Sequence, residues 1–428
     1  MISKNNPLKL PITLIVLGAC WSIVYIVPFI QYVWYDPFHD FLGCSNMQMG
    51  LLITIYGIGN VFGCPVGGWV ADRFNYKIIY VLSVFLNGLF SLLFVLNPSY
   101  KFAILMWIGF AVASLFMNYP THIKIVRNLT TDENQGKIFG FNETCIGLWN
   151  ILFNVIMMFF FVRFMAGIAG MKAAIVSIAV CSFILTAIVA FVLDNPKKEH
   201  LLAGDNADEE KASIMKDIKH ILTPATLCIA VTIFSVYSFL TTMSYFTPYF
   251  TEVLGVTVVF TGWVAIVRQH GMTLVGAPIG GILTDKIKSP AKVLIGVYIV
   301  GIAGLVYLLV ADKGISATFL IVLTIVLSGA VYVARGSYYA TITETGVPRE
   351  YTASTIGLAA AVGFSPDLFQ FTLFGYWLDH FPGGKAYTFM FLYQTLILIA
   401  GIVAAIGILK IKKNNQRKLA EAGENAAA

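Results

Sequence analysis

The chain has 428 residues, of which 58% are hydrophobic and only 12% are charged, and its mean hydropathy is +0.80. About a quarter of the residues in a typical soluble domain are charged, and a soluble fold cannot hide this much apolar surface. The composition therefore excludes a soluble domain and indicates a membrane protein. The net charge of +6 then reflects the loops and does not indicate a nucleic-acid partner.

Twelve apolar stretches are long enough to cross a bilayer as helices. In chain order, these spans are predicted at 10–34, 47–71, 78–97, 102–126, 137–162, 172–193, 224–248, 257–284, 293–311, 317–343, 353–377 and 388–410. A long polar connection at 194–223 separates the sixth span from the seventh. We therefore expect a six-helix bundle at 1–193, a second six-helix bundle at 224–411 and a cytoplasmic tail at 412–428.

The positions of the basic residues predict the orientation of the chain in the membrane. If both termini are cytoplasmic, most of the 28 Lys and Arg residues lie on the cytoplasmic side. The basic residues then left on the outer side are Lys101, Arg163, Lys172, Lys313 and Lys385. Because the other loops are short, we expect a multi-pass protein of a bacterial inner membrane.

One motif occurs twice. Residues 64–77 have the sequence CPVGGWVADRFNYK, and residues 277–288 have the sequence APIGGILTDKIK. Both contain Pro-x-Gly-Gly-x-x-x-Asp followed by a basic residue, at the end of a long apolar stretch. A repeat at so long a period indicates a duplicated chain, and two similar membrane halves are typical of transporters.

This motif, the twelve spans and the long central connection together resemble the major facilitator superfamily. The residues that match the family's motif between its second and third spans, and their counterparts in the second half, are Gly68, Asp72, Arg73, Lys77, Gly281, Asp285 and Lys286. The resemblance implies an all-α membrane protein with twelve transmembrane helices in two pseudo-symmetric six-helix bundles, acting as a monomer by alternating access. It also implies a gating role for these residues, in which Asp72 accepts hydrogen bonds from the start of span 11. The alternative is that their charges only fix the orientation.

The resemblance further implies that spans 1, 4, 7 and 10 line the central path, with spans 2, 5, 8 and 11 beside them. Polar and aromatic side chains at helical spacing on these spans are candidates for binding the substrate. The neutral candidates are Tyr25, Tyr32, Asn118, Asn150, Tyr237, Tyr332 and Tyr339. Plain packing is the alternative for each aromatic ring.

Charged residues inside the spans carry more information, because a bare charge at that depth costs several kcal/mol. Arg268 lies near the middle of span 8 and Arg335 lies on span 10. Arginine binds carboxylate, phosphate or sulfonate groups through two parallel hydrogen bonds. The two arginines therefore predict a site for an anion. A structural salt bridge from either arginine to Asp367 on span 11 is the alternative.

Coupling to protons requires a group that changes its charge during transport. Within the spans the candidates are Glu143 on span 5, His270 on span 8 and Asp367 on span 11. A structural pairing of Glu143 with His122 or Lys124 is the alternative for that residue.

These patterns predict a secondary active transporter of a small organic anion, such as a carboxylate, sulfonate or phosphate ester, driven by protons or by anion exchange. A proton-coupled exporter of amphipathic compounds and a sugar symporter are alternatives within transport. A membrane sensor or an intramembrane enzyme is the alternative from another class. The sequence has no metalloprotease, serine-hydrolase or Walker motif, so we expect neither an enzyme nor an ATP-driven pump. We also expect no cofactor and no metal site.

Overall fold

The computed structural model describes residues 8–129, 135–194, 222–310, 316–348 and 351–427. Within these ranges, the side chains at 60–66, 68–73, 135–137, 352–354, 419 and 422–427 are not described. Most of the connection predicted at 194–223 therefore lies outside the described residues. Every regular element in the described ranges is a helix, which confirms the all-α prediction.

The described residues before the central connection form eight α-helices. They are α1 (Lys9–Ile26), α2 (Tyr35–Leu42), α3 (Asn46–Arg73), α4 (Tyr76–Leu96), α5 (Tyr100–Ala111), α6 (Tyr119–Asn128), α7 (Gln135–Arg163) and α8 (Ile168–Val192). A 3-10 turn at Ile30–Tyr32 lies between α1 and α2, and a π-helical turn at Val112–Asn118 joins α5 to α6.

After the connection, the described part of the chain forms nine α-helices. They are α9 (Pro224–Thr242), α10 (Phe246–Glu252), α11 (Val258–Ile266), α12 (Met272–Ile287), α13 (Pro290–Val310), α14 (Ala317–Arg335), α15 (Thr352–Gly363), α16 (Pro366–His380) and α17 (Lys385–Ala427). Further turns lie at Met243–Tyr245, at Val267–Gly271 and at Tyr338–Glu344. Helix α17 continues through 412–427, where the sequence predicted a separate tail.

By length and composition, ten helices among the described residues can cross a membrane, and a bent pair raises the number to eleven. In that pair, α2 and the segment Asn46–Gly59 of α3 meet at 102°. The remaining predicted span, 257–284, corresponds to α11 and α12. The π-helical turn between them carries three consecutive polar residues, Arg268, Gln269 and His270.

Prolines explain most of the breaks that the apolar pattern did not predict. A proline has no N–H group with which to continue the ladder of helical hydrogen bonds. Helix α1 ends at Ile26, just before Pro28, and the π-helical turn after α5 ends just before Pro120. The 3-10 turn after α9 likewise lies one turn before Pro248. The first predicted span is shortened as a result, whereas the fourth and seventh continue across their breaks, at Tyr100–Asn128 and Pro224–Glu252.

The chain divides into two compact units. The first unit contains Met1–Asp208, Val256–Ile266 and Phe371–Asp379, and the second contains Glu209–Gly255, Val267–Gln370 and His380–Ala428. Each unit therefore takes residues from more than one stretch of the chain.

Glycines bring helices together within each unit. In the second unit, a Cβ atom at Gly280 would lie under 3.0 Å from the Val333 backbone, and a Cβ at Gly336 would meet the Ala277 backbone. In the first unit, a Cβ atom at Gly67 would likewise lie under 3.0 Å from the backbone carbonyl of Phe116. Such close approach lets helices pack in lipid without large side chains.

Candidate substrate and proton sites

A π-helical turn positions the most deeply buried charge of the second unit. The turn at Val267–Gly271 interrupts the α-helical pattern between α11 and α12. Single π-helical turns inside helices are frequent at functional sites. Here the turn directs Arg268 into the protein, where it is 0% exposed, while the following residue, Gln269, is 2% exposed.

The Arg268 guanidinium has few partners for a group so completely buried. Its Nη2 donates a hydrogen bond to Thr247 Oγ1 at 2.8 Å. The rings of Phe246 and Phe250 each lie 6.0 Å from its Cζ atom. Its Nε and Nη1 atoms have no hydrogen-bond partner among the described residues. A buried cation in this state is costly unless an anion meets it.

Neighbouring contacts hold Arg268 in place and add a neutral donor. Ser328 donates a hydrogen bond to the Arg268 backbone carbonyl at 2.5 Å. Tyr332 donates to Gln269 Oε1 at 3.3 Å, which leaves Gln269 Nε2 without a partner in the described part of the chain. The turn thus presents a cation and an amide donor side by side in sequence.

Asp367, near the start of α16, is the most buried carboxylate proposed for proton coupling. It is 3% exposed, and its Oδ2 atom accepts a hydrogen bond from Tyr237 at 2.7 Å. Its Oδ1 atom has no partner among the described residues. No ion pair joins Asp367 to Arg268 or Arg335 among the interactions of the described residues.

Two buried amides, Gln370 one turn beyond Asp367 on α16 and Gln394 on α17, form a network that the sequence analysis did not single out. Gln370 Nε2 donates to the Ser238 carbonyl and to Thr242 Oγ1, both at 3.0 Å. The hydroxyls of Ser238 and Thr242 donate to Gln394 Oε1 at 2.8 and 3.0 Å. Gln370 Oε1 and Gln394 Nε2 have no partner in the described ranges. A glutamine inside an apolar helix was the available sequence signal.

The other predicted residues of the second unit lie in more open positions. Arg335 is the last residue of α14 and is exposed, in contrast to Arg268. Tyr339 is 38% exposed, and its ring lies 4.4 Å from that of Tyr338. His270 is half-buried. The structure therefore distinguishes the two arginines that the sequence ranked together.

In the first unit, the predicted aromatic residues pack against other rings. Tyr25 is half-buried, with its ring centroid 5.2 Å from that of Trp21. Tyr32 stacks on Phe371 at 5.6 Å. Asn118 is fully buried in the π-helical turn before α6 and donates to Ser83 Oγ at 2.9 Å.

Helix α7 turns a different residue inward from the one that the sequence suggested. Glu143 is exposed, whereas the preceding residue, Asn142, is 2% exposed and lies 3.0 Å from His122 Nε2. Asn150 is half-buried, and its backbone carbonyl accepts a hydrogen bond from Asn154. Helical spacing alone could not determine which of two adjacent polar residues faces the interior.

The residues of the repeated motif are only partly visible. The side chains of Asp72 and Arg73 and the surroundings of Gly68 lie outside the described residues. Lys77 is half-buried, and Asp285 and Lys286 are exposed. A Cβ atom at Gly281 would meet nothing within 4 Å, so the close helix contact of the second copy falls on Gly280 instead.

A helix cap in the first unit was missed by the sequence analysis. The Asp379 carboxylate accepts hydrogen bonds from the backbone N–H groups of Asn46 and Met47 at 3.0 and 2.9 Å, where α3 begins. A carboxylate is favoured there by the exposed amides and the helix dipole. No sequence signal links these residues, because they are more than 330 positions apart.

The long apolar helices define a multi-pass membrane protein. The chain belongs to the Major Facilitator Superfamily, whose family model matches residues 11–369. It is therefore a transporter rather than an enzyme. This confirms the family and the fold class that the motif predicted.

Known proteins are similar over nearly all of the chain. The Inner membrane protein YqcE of Escherichia coli is 28% identical over 96% of this chain and 96% of its own length. A bacterial homolog of the human lysosomal transporter Spinster, solved in an inward-facing and unoccupied conformation, shares the fold with a TM-score of 0.73. That structure is 16% identical, and the match covers 96% of this chain and 98% of the other. A shorter match, 42% identical over 13% of this chain and 12% of the other, is to the Probable galactarate/D-glucarate transporter GudP of Bacillus subtilis.

Proposed function

We propose that the chain is a secondary active transporter of a small organic anion, coupled to protons or to anion exchange. The observation that carries the proposal is Arg268, a fully buried guanidinium whose Nε and Nη1 atoms have no partner among the described residues. In an apolar interior such a group favours an anionic ligand. Thr247 and the two flanking phenylalanines fix the guanidinium, so the ligand does not have to order it.

A carboxylate is the anion that we favour. Arginine pairs with carboxylate and phosphate through matching geometry, and the name of GudP, which matches a short stretch of this chain, refers to two dicarboxylates. The unsatisfied amides of Gln269, Gln370 and Gln394 are suited to hydroxyl groups. We therefore propose a hydroxylated carboxylate, with sulfonates and phosphate esters as the next candidates.

For coupling, we propose Asp367 as a proton-binding group. Its carboxyl group is buried, and its only hydrogen-bond donor among the described residues is the Tyr237 hydroxyl. A permanent charge in that setting requires a permanent counter-ion, and no described residue forms an ion pair with Asp367. Glu143 is less suited to this role, because it is exposed.

The membrane location and the gating residues are also proposed from the relatives and the family motif. We propose that the protein lies in a bacterial inner membrane as a monomer, since the relative YqcE is an inner membrane protein. We also propose that both termini are cytoplasmic, because this orientation places most Lys and Arg residues on the cytoplasmic side. The repeated motif, with Asp72 as the latch, is proposed to hold the cytoplasmic side shut in part of the transport cycle.

The test is a ligand panel on the purified protein by thermal shift. D-glucarate, galactarate, glucose 6-phosphate, a sulfonate and neutral xylose would be compared on wild type, Arg268→Ala and Arg335→Ala. We expect a carboxylate to stabilise the wild type and the exposed-arginine control but not Arg268→Ala. Stabilisation by xylose alone, or an equal response of Arg268→Ala, would overturn the anion site and favour the sugar symporter.

Coupling is tested separately in proteoliposomes. Asp367→Asn should still exchange D-glucarate across the membrane but should fail to accumulate it on a pH gradient, while Glu143→Gln should accumulate it normally. Full accumulation by Asp367→Asn would remove Asp367 as the proton site.

A further inference from the structure

A buried histidine in the first unit lies in a hydrogen-bond network that the proposed anion site does not use. His122, on α6, is 1% exposed. Its Nδ1 atom lies 2.8 Å from the Tyr80 hydroxyl on α4, and its Nε2 atom lies 3.0 Å from Asn142 Nδ2 on α7. The Trp21 ring on α1 lies 4.5 Å from the imidazole ring. One imidazole therefore contacts three other helices.

The chemistry of its partners determines where the ring proton lies. An amide nitrogen can only donate, so Nε2 accepts from Asn142 in this arrangement. The neutral ring then carries its proton on Nδ1 and donates to the Tyr80 oxygen. Tyr80 in turn donates to the Leu17 carbonyl at 3.3 Å. In the structure as described, the histidine is thus neutral and both of its nitrogens are satisfied.

One buried acceptor of this network lacks a hydrogen-bond donor among the described residues. Asn142 Oδ1 is buried and has no hydrogen-bond partner among the described residues. An unpaired buried acceptor is unfavourable by about 1–3 kcal/mol. Rotation of the amide by half a turn exchanges Oδ1 with Nδ2, which places the acceptor beside Nε2. That arrangement requires a proton on Nε2.

We propose that His122 Nε2 is a proton-binding site, with rotation of the Asn142 amide as the accompanying change. A proton from water adds to the Nε2 lone pair, the Nδ2–H···Nε2 hydrogen bond breaks, and an Nε2–H···Oδ1 hydrogen bond forms. The new bond is charge-assisted and therefore stronger than the neutral bond that it replaces. A role for this proton in transport rests on the proposed proton coupling, whereas proton binding itself does not.

Other titratable groups on the packed elements must be considered. Besides Tyr80, these include Lys77 on α4, Cys20 and Tyr25 on α1, Glu143 and Cys145 on α7, and Tyr119, Lys124 and Arg127 on α6 itself. Cys20 and Cys145 are buried, Lys124 is half-buried, and Glu143 and Arg127 are exposed. The side chains of Asp72 and Arg73 on the neighbouring α3 lie outside the described residues. Variants at the charged positions therefore serve as controls.

The proximity of Trp21 provides a direct readout of protonation, because an imidazolium beside an indole quenches its fluorescence. We would titrate the emission of the purified full-length protein across the range in which histidine changes charge, about pH 8 to pH 5 and below. Wild type should show a quenching step on acidification that is absent from His122→Gln and from Trp21→Phe. His39→Gln, Glu143→Gln, Lys124→Gln, Arg127→Gln, Asp72→Asn and Arg73→Gln should keep the step. No step in the wild type, or a step that persists in a folded His122→Gln variant, would overturn the proposal.

The rotation of Asn142 has its own test. Asn142→Asp supplies a permanent acceptor and a negative charge, so the midpoint should move to higher pH by about one unit or more. Asn142→Leu removes the acceptor, so the midpoint should move to lower pH. Equal midpoints in these two variants would contradict the rotation.

The role in transport is then measured in proteoliposomes with D-glucarate. His122→Gln should exchange D-glucarate across the membrane but should lose at least about ten-fold in accumulation on a pH gradient. A fluorescence step without any binding of anions would overturn the proposed function and leave the proton site standing. Anion binding with no fluorescence step would overturn the proton site and leave the proposed function standing. Full accumulation by His122→Gln would show that the proton on His122 is not transported.

Discussion

Glu344 and Arg268 are both buried charged side chains of the second unit, and their surroundings are opposite. Glu344, at the end of the 3-10 turn Tyr338–Glu344, is 4% exposed and accepts hydrogen bonds from Lys412, Ser289 and the backbone N–H of Ala291 at 2.7, 2.8 and 2.9 Å. Arg268 is 0% exposed, and among the described residues its guanidinium donates only to Thr247. Burial alone therefore does not identify a functional charge.

The difference lies in what each charge leaves unsatisfied. Glu344 accepts hydrogen bonds from Lys412 on α17, from the Ser289 hydroxyl and from a backbone N–H in the first turn of α13. It therefore connects α17 to the start of α13. Arg268 leaves Nε and Nη1 without partners in the described ranges. We therefore propose that the fully paired charge is structural and that the incompletely paired charge binds a ligand.

Removing the paired charge should cause the largest loss of stability. Glu344→Ala strands Lys412 and two further donors, so we expect the free energy of unfolding to fall by about 3–5 kcal/mol. Chemical denaturation in detergent measures the change, and Glu421→Ala, at an exposed surface pair, is the control. If Glu344→Ala has no more effect than the control, the structural assignment is wrong.

Removing the incompletely paired charge should affect binding and not stability. Arg268→Met keeps the length of the side chain and strands only one hydroxyl, so unfolding should change by about 1 kcal/mol or less, or the protein should become more stable. The affinity for D-glucarate should fall about 100-fold, because a hydrogen-bonded charge contributes roughly 1.5–3 kcal/mol. A loss of stability as large as that of Glu344→Ala, with affinity retained, would exchange the roles of the two residues.

The same contrast between contacting and open positions exists for two adjacent glycines of the repeated motif. Gly280→Ala places a Cβ against the Val333 backbone and should destabilise by about 1–3 kcal/mol. Gly281→Ala meets nothing within 4 Å and should be neutral or stabilising by up to about 1 kcal/mol, since alanine is the better helix former. Thermal unfolding of the two variants makes a matched comparison. Equal losses would show that the close helix approach is not what this position requires.

The smallest effect is expected at the hydroxyl beside Asp367. Tyr237→Phe removes the only hydrogen-bond donor to Asp367 among the described residues. The free energy of unfolding should therefore fall by about 1 kcal/mol. Tyr339→Phe, at an exposed ring, should change it by less than about 0.5 kcal/mol. Equilibrium unfolding of both variants tests whether the Tyr237–Asp367 contact forms in the membrane protein. No difference between them would count against it.

The sequence predicted the parts of this fold that depend on composition and repetition. The apolar stretches predicted the helices, and the duplicated motif at Asp72 and Asp285 indicated the family. What it could not predict depends on local backbone geometry. The helix breaks near Pro28 and Pro120 and the π-helical turns change which side chains face the interior. The apolar pattern alone did not predict these breaks and turns.

The same limit applies to the candidate site. Arg268 and Arg335 both lie within predicted spans, and only the structure distinguishes the buried one from the exposed one. Glu143 attracted attention as a charge, whereas its neutral neighbour Asn142 makes the interior contact. The cap of α3 by Asp379 joins residues far apart in sequence, and a single sequence contains no signal for such a pair.

The central claim is that the buried Arg268 guanidinium binds the substrate anion. Its most direct test is a structure of the wild-type protein determined with bound D-glucarate, or with the best ligand of the panel. The account predicts a carboxylate oxygen within about 3.2 Å of Arg268 Nε or Nη1. A bound anion that leaves both atoms unpaired would contradict it.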